Sequence, residues 1–226
     1  VEEQAVEERR MRRHDHAAQD EDPRHAHDDI PSTDHWHDYI RQRMNVTDPR
    51  LETERLVLRL PRIEDFDGYA ELVGDEETAR YIGGHMARAA AWRKFLQMPG
   101  AWALQGFGMF SIVAKDSGEW LGQLGPWKPE GWPGNEVGWA FRRPAWAKGY
   151  ATEAAVAAMD YAVDVLGWDD MIHCIHPDNR ASQALAQRLG SRNRGPGRMP
   201  APYEDSPNEI WGQTRAQWQV NRARFA

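Results

Sequence analysis

The chain has 226 residues, 41% of them hydrophobic and 11 of them Trp, enough for one packed domain with an extension or for two small domains. No run of about 18 apolar residues occurs, so no membrane span is expected, the charged beginning argues against a secretory signal, and a single cysteine, Cys174, excludes an internal disulfide framework and points to a reducing, cytoplasmic setting. The net charge of -7 divides unevenly: residues 1–50 carry 13 acidic and 8 basic side chains and the remainder 22 and 20, a nearly neutral body without the cationic excess that nucleic-acid binding needs.

Residues 1–50 read as a charged, His-rich extension. The stretch RRMRRHDHAAQDEDPRHAHDDIPSTDHWHD is nearly free of aliphatics, cannot bury enough surface to offset chain entropy, and is expected to be disordered. Six of the nine histidines lie here as His-x-His pairs, His14/His16, His25/His27 and His35/His37. Imidazoles take transition metals, and biased composition alone is the other reading. A natural start at Met44 would leave most of this segment outside the native protein.

Globular patterning begins at Leu51 and is expected to run to residue 220. Arg55–Leu60 (RLVLRL) alternates like a half-buried strand. Pro61–Val73 reads as a helix, acidic in its first turns, with Phe66, Tyr69, Ala70 and Val73 on one face, and a second helix is expected over Ala87–Leu96. Gly108–Gly125 contains a strand, a polar Lys-Asp-Ser-Gly-Glu turn and a second strand, a hairpin. Asn135–Phe141 is the next strand. Helical periodicity follows through Val156, Met159, Val163 and Leu166, then a short strand, Met171–Ile175. Ala181–Gly190 is a helix stopped by glycine, Ser191–Ser206 reads as loop, and Glu209–Thr214 as the last strand. This order defines an α/β domain with a mixed sheet.

The junction WAKGYATEA, Trp146–Ala154, is unusually lean in side-chain bulk. A helix start leaves backbone N–H groups unpaired at the positive end of the helix dipole. Gly149 opens the main chain to an anion, Ala147 and Ala151 add little bulk, Thr152 offers a hydroxyl, and Lys148 with Arg142 or Arg143 adds charge. A tightly packed strand-to-helix turn is the plainer alternative. Neither G-x-x-x-x-G-K-[ST] nor G-x-G-x-x-G occurs.

The segments EVGWAFRRPAWAKGYATEAA and HPDNRASQALAQRLG, with the TERLVLR opening (Thr53–Arg59) and the WGQTRAQW ending (Trp211–Trp218), resemble the GNAT N-acetyltransferase superfamily, most closely its RimJ/RimL-like branch. The resemblance implies a central mixed, mostly antiparallel sheet of roughly six to seven strands, splayed between the fourth and fifth and flanked by about four helices. The fourth and fifth are the Asn135–Phe141 and Met171–Ile175 strands. It also implies acetyl-CoA as co-substrate. Trp146, Ala147, Lys148, Gly149, Tyr150 and Ala151 stand in the register of the family's pyrophosphate loop, with Thr152 beside them and Ala147 where glycine is frequent. Trp139, Ala140 and Phe141 match the strand that pairs with pantetheine, and Asn179 and Ser182 match an Asn-x-x-Ser at the next helix start. Asn and Ser are also ordinary helix caps.

For chemistry, Glu136 is the candidate base, provided that burial raises its pKa toward neutrality, and Ser182 the candidate hydrogen-bond donor to the thiol. Many relatives carry a tyrosine on the helix that is Ala181–Gly190 here, and this one has none. His173, His176 and Cys174 lie near the expected cleft, and packing roles suit them better. Trp127 and Trp132, in a Gly/Pro-rich loop, are candidate walls for an amine substrate or a structural lid. The implied activity is transfer of an acetyl group from acetyl-CoA to a primary amine, a protein N-terminus or a small molecule, by direct attack in a ternary complex. The alternatives are a catalytically weak acyl-CoA-binding or sensing module of the same fold, or a structural interaction protein. No metal, nucleic acid or membrane partner is expected, and the chain is expected to be a monomer or homodimer.

Overall fold

The computed structural model describes residues 49–225. The three His-x-His pairs and Met44 lie outside the described residues. Eight strands form one sheet in the order β1-β2-β3-β4-β5-β6-β8-β7. They are β1 (Leu51–Glu52), β2 (Leu56–Arg59), β3 (Phe110–Ala114), β4 (Trp120–Trp127), β5 (Glu136–Phe141), β6 (Asp170–Ile175), β7 (Arg192–Gly197) and β8 (Asn208–Thr214). Every neighbouring pair is antiparallel except β5–β6, which is parallel. The mixed, mostly antiparallel sheet expected from the sequence is present.

Helices cover the sheet: α1 (Phe66–Gly74), α2 (Glu76–Ala79), α3 (Arg88–Phe95), α4 (Gln97–Gln105), α5 (Tyr150–Asp164), α6 (Arg180–Leu189) and α7 (Arg215–Arg222). Alanines 154, 155, 158 and 162 of α5 are fully buried. Their short side chains let the helix lie close on the strands, in one core with Leu56, Leu58, Phe110, Ile112, Leu124 and Val137. A second cluster joins Tyr69, Leu72 and Val73 of α1 to Ala91 and Phe95 of α3 and to Trp120.

The start of α1 is fixed by a buried ion pair. Arg59 donates to both oxygens of Asp65 at 2.7 Å, and Ser111 adds its hydroxyl to the same carboxylate at 2.7 Å. Bidentate pairing with a further donor is the geometry in which a buried pair holds an element in place.

Several elements go beyond the sequence reading, among them the helix α4 (Gln97–Gln105), the edge strand β7 and the closing helix α7. Arg192–Gly197, read as part of a loop, pairs with β8 as an edge strand, with an irregularity between Asn193 and Pro196. An edge position tolerates proline because the missing N–H faces away from the ladder. Gly195 there has φ 104, and its N–H donates to Asn193 Oδ1 at 2.7 Å. The closing segment Arg215–Arg222 is helical, opened by a Thr214–Gln217 capping box.

Candidate functional site

β5 and β6 are joined through a single register pair, Glu136 with Ile172, supported by the Ile172 N–H donating to the Asn135 carbonyl at 2.9 Å. Beyond it the strands part. On its other edge β5 is fully paired with β4, from Trp127↔Glu136 to Gly122↔Phe141. The Arg142 N–H donates to the Leu121 carbonyl at 2.9 Å. Hydrogen-bonded and non-hydrogen-bonded positions alternate along an antiparallel pair. Even-numbered residues of β5 therefore face β4, while Val137, Trp139 and Phe141 turn their main-chain groups toward the seam. Ala140 belongs to the first set, and its methyl packs on the Tyr69 cluster. It thus holds the strand rather than offering main-chain groups to the gap.

Side chains finish the seam. The Cys174 N–H donates to Glu136 Oε1 at 3.0 Å, and the Trp132 indole N–H donates to Glu136 Oε2 at 2.6 Å. Glu136 is buried, and burial pushes its carboxyl up to about 7 against the opposing pull of those two donors. The Cys174 thiol beside it is pushed up, by burial first and then by the neighbouring Glu136 charge, so it is not a thiolate nucleophile. From β6, His173 Nδ1 lies 2.7 Å from the Val137 carbonyl and Nε2 lies 2.9 Å from Ser191 Oγ. A carbonyl only accepts, so Nδ1 carries the proton and Nε2 receives the Ser191 hydroxyl. The Gln213 amide, donating to Ser191 Oγ at 3.0 Å, fits that direction. Burial lowers His173 to about 4, and it stays neutral.

Trp139 leans on His173, ring centroids 4.7 Å apart, and its indole N–H donates to Ser182 Oγ at 3.0 Å. The Ser182 hydroxyl accepts this bond and keeps its own proton for another partner. Asn179 caps α6 by accepting the Ser182 N–H at 3.1 Å, the plain helix-entry role. Trp127, expected in a Gly/Pro-rich loop, instead closes strand β4 as the cross-strand neighbour of Glu136. Trp132 stands between that carboxylate and Tyr203, whose ring it meets edge-on at 6.1 Å.

The lean turn opens α5. Gly149 is its N-cap at φ 84, and its side-chain-free cap leaves the first turn to the backbone. Thr152 and Glu153 N–H groups both turn back to the Gly149 carbonyl at 3.1 Å. Among the described residues, the N–H groups of Ala147, Lys148, Gly149, Tyr150 and Ala151 have no protein acceptor. Gly149 demands glycine by its left-handed conformation, and a Cβ built there would press on Arg55 Nη2 at 3.2 Å. Ala147 holds φ 57, which explains why glycine suits that position. Trp146 ties the loop to β5 by donating its indole N–H to the Phe141 carbonyl at 2.8 Å.

Two features of this turn escaped the sequence reading. Arg55, on the β1–β2 turn, donates to Glu153 at 2.7 Å and to the Lys148 carbonyl at 3.0 Å, with its guanidinium over the Tyr150 ring at 4.6 Å. Thr53 and the Arg55 N–H complete the grip on the Glu153 carboxylate at 2.5 and 2.8 Å. Burial pushes Glu153 up, yet these donors outweigh it and the carboxyl ends below its usual value. Arg188 of α6 donates to Thr152 Oγ1 at 3.1 Å, bringing a cation to the helix start. Arg142 and Arg143, expected to add charge there, are engaged elsewhere: Arg142 with Glu71 and Glu119, and Arg143 with Asp75 and Glu77.

Among the described residues no three His, Cys, Asp or Glu side chains converge on a point that would hold a metal, and no helix is long and apolar enough to cross a membrane.

A mixed sheet opened beside a helix start with unpaired amides is an α/β architecture with a cleft at the opening. The family model described as "Acetyltransferase (GNAT) domain" matches residues 55–192, and the chain belongs to that family. The uncharacterized protein YkkB of Bacillus subtilis (strain 168) is 32% identical over 150 residues, 62% of this chain and 84% of YkkB. The crystal structure of an acetyltransferase from Agrobacterium tumefaciens str. C58 superposes with a TM-score of 0.67 at 30% identity, covering 75% of this chain and 96% of that one. A GNAT-family acetyltransferase from Bacillus anthracis shares the fold, with a TM-score of 0.61 at 22% identity over 73% and 96% of the two chains. Acetyl-CoA-dependent transfer is the chemistry of this class.

Proposed function

We propose that the protein is a RimJ/RimL-like N-acetyltransferase that moves the acetyl group of acetyl-CoA to a primary amine, an N-terminus or a small molecule, by direct attack in a ternary complex. The observation that carries this reading is the pairing of two open main-chain stretches: the amides of Ala147–Ala151 and the part of β5 around Trp139, beyond its single register pair with β6. The first suits a diphosphate, which helix N-termini attract through unpaired N–H groups and the dipole. Thr152 and Arg188 add a hydroxyl and a charge beside it. The second suits the amides of a pantetheine arm, held by the main chain of Trp139 and the N–H of Phe141, whose carbonyl Trp146 takes, with Ala140 locking that strand to β4 and Asn179 and Ser182 on the facing helix.

Bound acetyl-CoA supplies a thioester whose departing thiolate makes acyl transfer to an amine favourable. The chain's task is to orient the amine and take its proton. Glu136, poised near neutrality, is the base, with Trp132 and Trp127 beside it as walls for the acceptor. As the N–C bond forms and the C–S bond breaks, the amine proton passes to Glu136 and the sulfur takes one through the Ser182 hydroxyl or water. Titration calorimetry with acetyl-CoA, followed by thiol release across an amine panel, tests this. Absence of binding removes the coenzyme reading, and binding without turnover on any amine replaces the enzyme with an acyl-CoA-sensing module.

A further inference from the structure

The seam has a feature that membership of the family does not supply. In a parallel ladder that sets Glu136 against Ile172, with the Ile172 N–H on the Asn135 carbonyl, the next bond donated from β6 falls two residues on in each strand, Cys174 N–H to Val137 C=O. That bond is missing, yet neither of its halves is unsatisfied. Glu136 reaches from β5 to take the Cys174 N–H at 3.0 Å, and His173 reaches from β6 to take the Val137 carbonyl at 2.7 Å. Each strand sends a side chain to occupy the other's main chain. Buried main-chain groups must be paired, and here the pairing is made in a way that prevents the strands from closing.

We infer that His173 is a positioning residue that keeps β5 and β6 apart by occupying the Val137 carbonyl, in the single orientation allowed by Ser191 and Gln213. The imidazole is well suited to this. Ser191 and Gln213 fix its Nε2 as the acceptor, and the Gln213 amide is itself anchored on the Leu189 carbonyl at 3.0 Å. The ring is 1% exposed, so no water competes for either nitrogen. The Asn221 amide extends the chain by donating to Gln213 Oε1 at 2.9 Å, which ties the width of the seam to α7, the helix that follows β8. That the opening receives a coenzyme arm rests on the function proposed above, whereas the blocking of the ladder does not.

The test separates the two ring nitrogens. An asparagine amide stands near Nδ1 and keeps the donor to Val137, whereas a glutamine amide stands near Nε2 and keeps only the Ser191 side. Amide hydrogen exchange of the free protein is read at Trp139, and acetyl-CoA affinity is read separately by calorimetry. In His173→Gln, Trp139 should become protected and acetyl-CoA affinity fall by about tenfold or more, while His173→Asn should stay within about threefold of wild type in both. If the two variants exchange alike at Trp139, the inference is overturned. Should neither variant fold, the imidazole nitrogens of the wild type decide by NMR: a proton on Nδ1 sustains it and a proton on Nε2 overturns it. Failure of wild-type protein to bind acetyl-CoA would count against the coenzyme and leave the exchange result standing.

Discussion

Glu136 and His173 cross the same gap in opposite directions and titrate with opposite consequences for stability. Burial raises the Glu136 carboxyl from 4.5 to about 7. Its favourable contribution is therefore complete below pH 4.5 and lost as pH rises through 7. Burial lowers His173 from 6.5 to about 4. Its contribution is complete above pH 6.5 and lost as pH falls through 4. Each swing is worth about 3 kcal/mol at most, and over the shared window the two largely cancel. Unfolding of the wild type should thus vary little between those limits. Glu136→Gln should expose the histidine slope, with stability climbing by about 2–3 kcal/mol from pH 4 to 6.5. Urea titrations at a series of pH values check this, and an unchanged profile in the variant counts against the assigned burial of His173.

Turnover should follow the same carboxylate. With acetyl-CoA saturating, the wild-type rate should rise with pH and level off above about 7, where Glu136 is ionised. Glu136→Gln should run about 100-fold slower or worse at pH 7.5, without that rise. A variant that keeps the wild-type pH profile removes Glu136 as the base.

Gly149→Trp should abolish acetyl-CoA binding by calorimetry, because an indole there would cover the amides of the turn and φ 84 disfavours any side chain. Strain at a left-handed position costs about 1–2 kcal/mol, so the fold should survive with a modestly lowered Tm. Unaltered affinity would detach the loop from the diphosphate.

The Arg55–Glu153 brace should matter more for binding than for folding. The pair is partly exposed, with side-chain exposures of 44% and 17%, so Arg55→Ala should cost about 1 kcal/mol of stability or less. Because the same guanidinium holds the Lys148 carbonyl, acetyl-CoA affinity should fall about tenfold as the loop loosens. A double-mutant cycle with Glu153→Gln measures the coupling, and additive losses in binding would show the two residues act independently.

Much of this site was legible because its signals are local. The helix start at Gly149 announces itself by small residues after a strand, and α6 by Asn179 at its entry and Gly190 at its exit, where the structure places the caps. Glu136 was legible as a position, and its Trp132 donor lies only four residues away. Its Cys174 donor, and the Ser191 and Gln213 side chains that orient His173, come from three later strands or turns, and no spacing rule brings them together. α7 was hidden because Trp218 is its sole buried side chain, leaving no apolar stripe. β7 was hidden because Arg-Asn-Arg-Gly-Pro-Gly carries the composition of a loop and becomes a strand only by lying along β8.

Trp146 joins the two halves of the site. Its indole is fastened to the Phe141 carbonyl at 2.8 Å, which ties the turn before α5 to the end of β5. The span from the turn's amides to the Glu136 carboxylate is then a fixed gauge, set before any ligand arrives and costing it little ordering entropy. On the proposed coenzyme reading, a carrier whose arm is shorter than pantetheine would bring its acyl carbon up short of Glu136, so acyl donors would be sorted by length before chemistry begins.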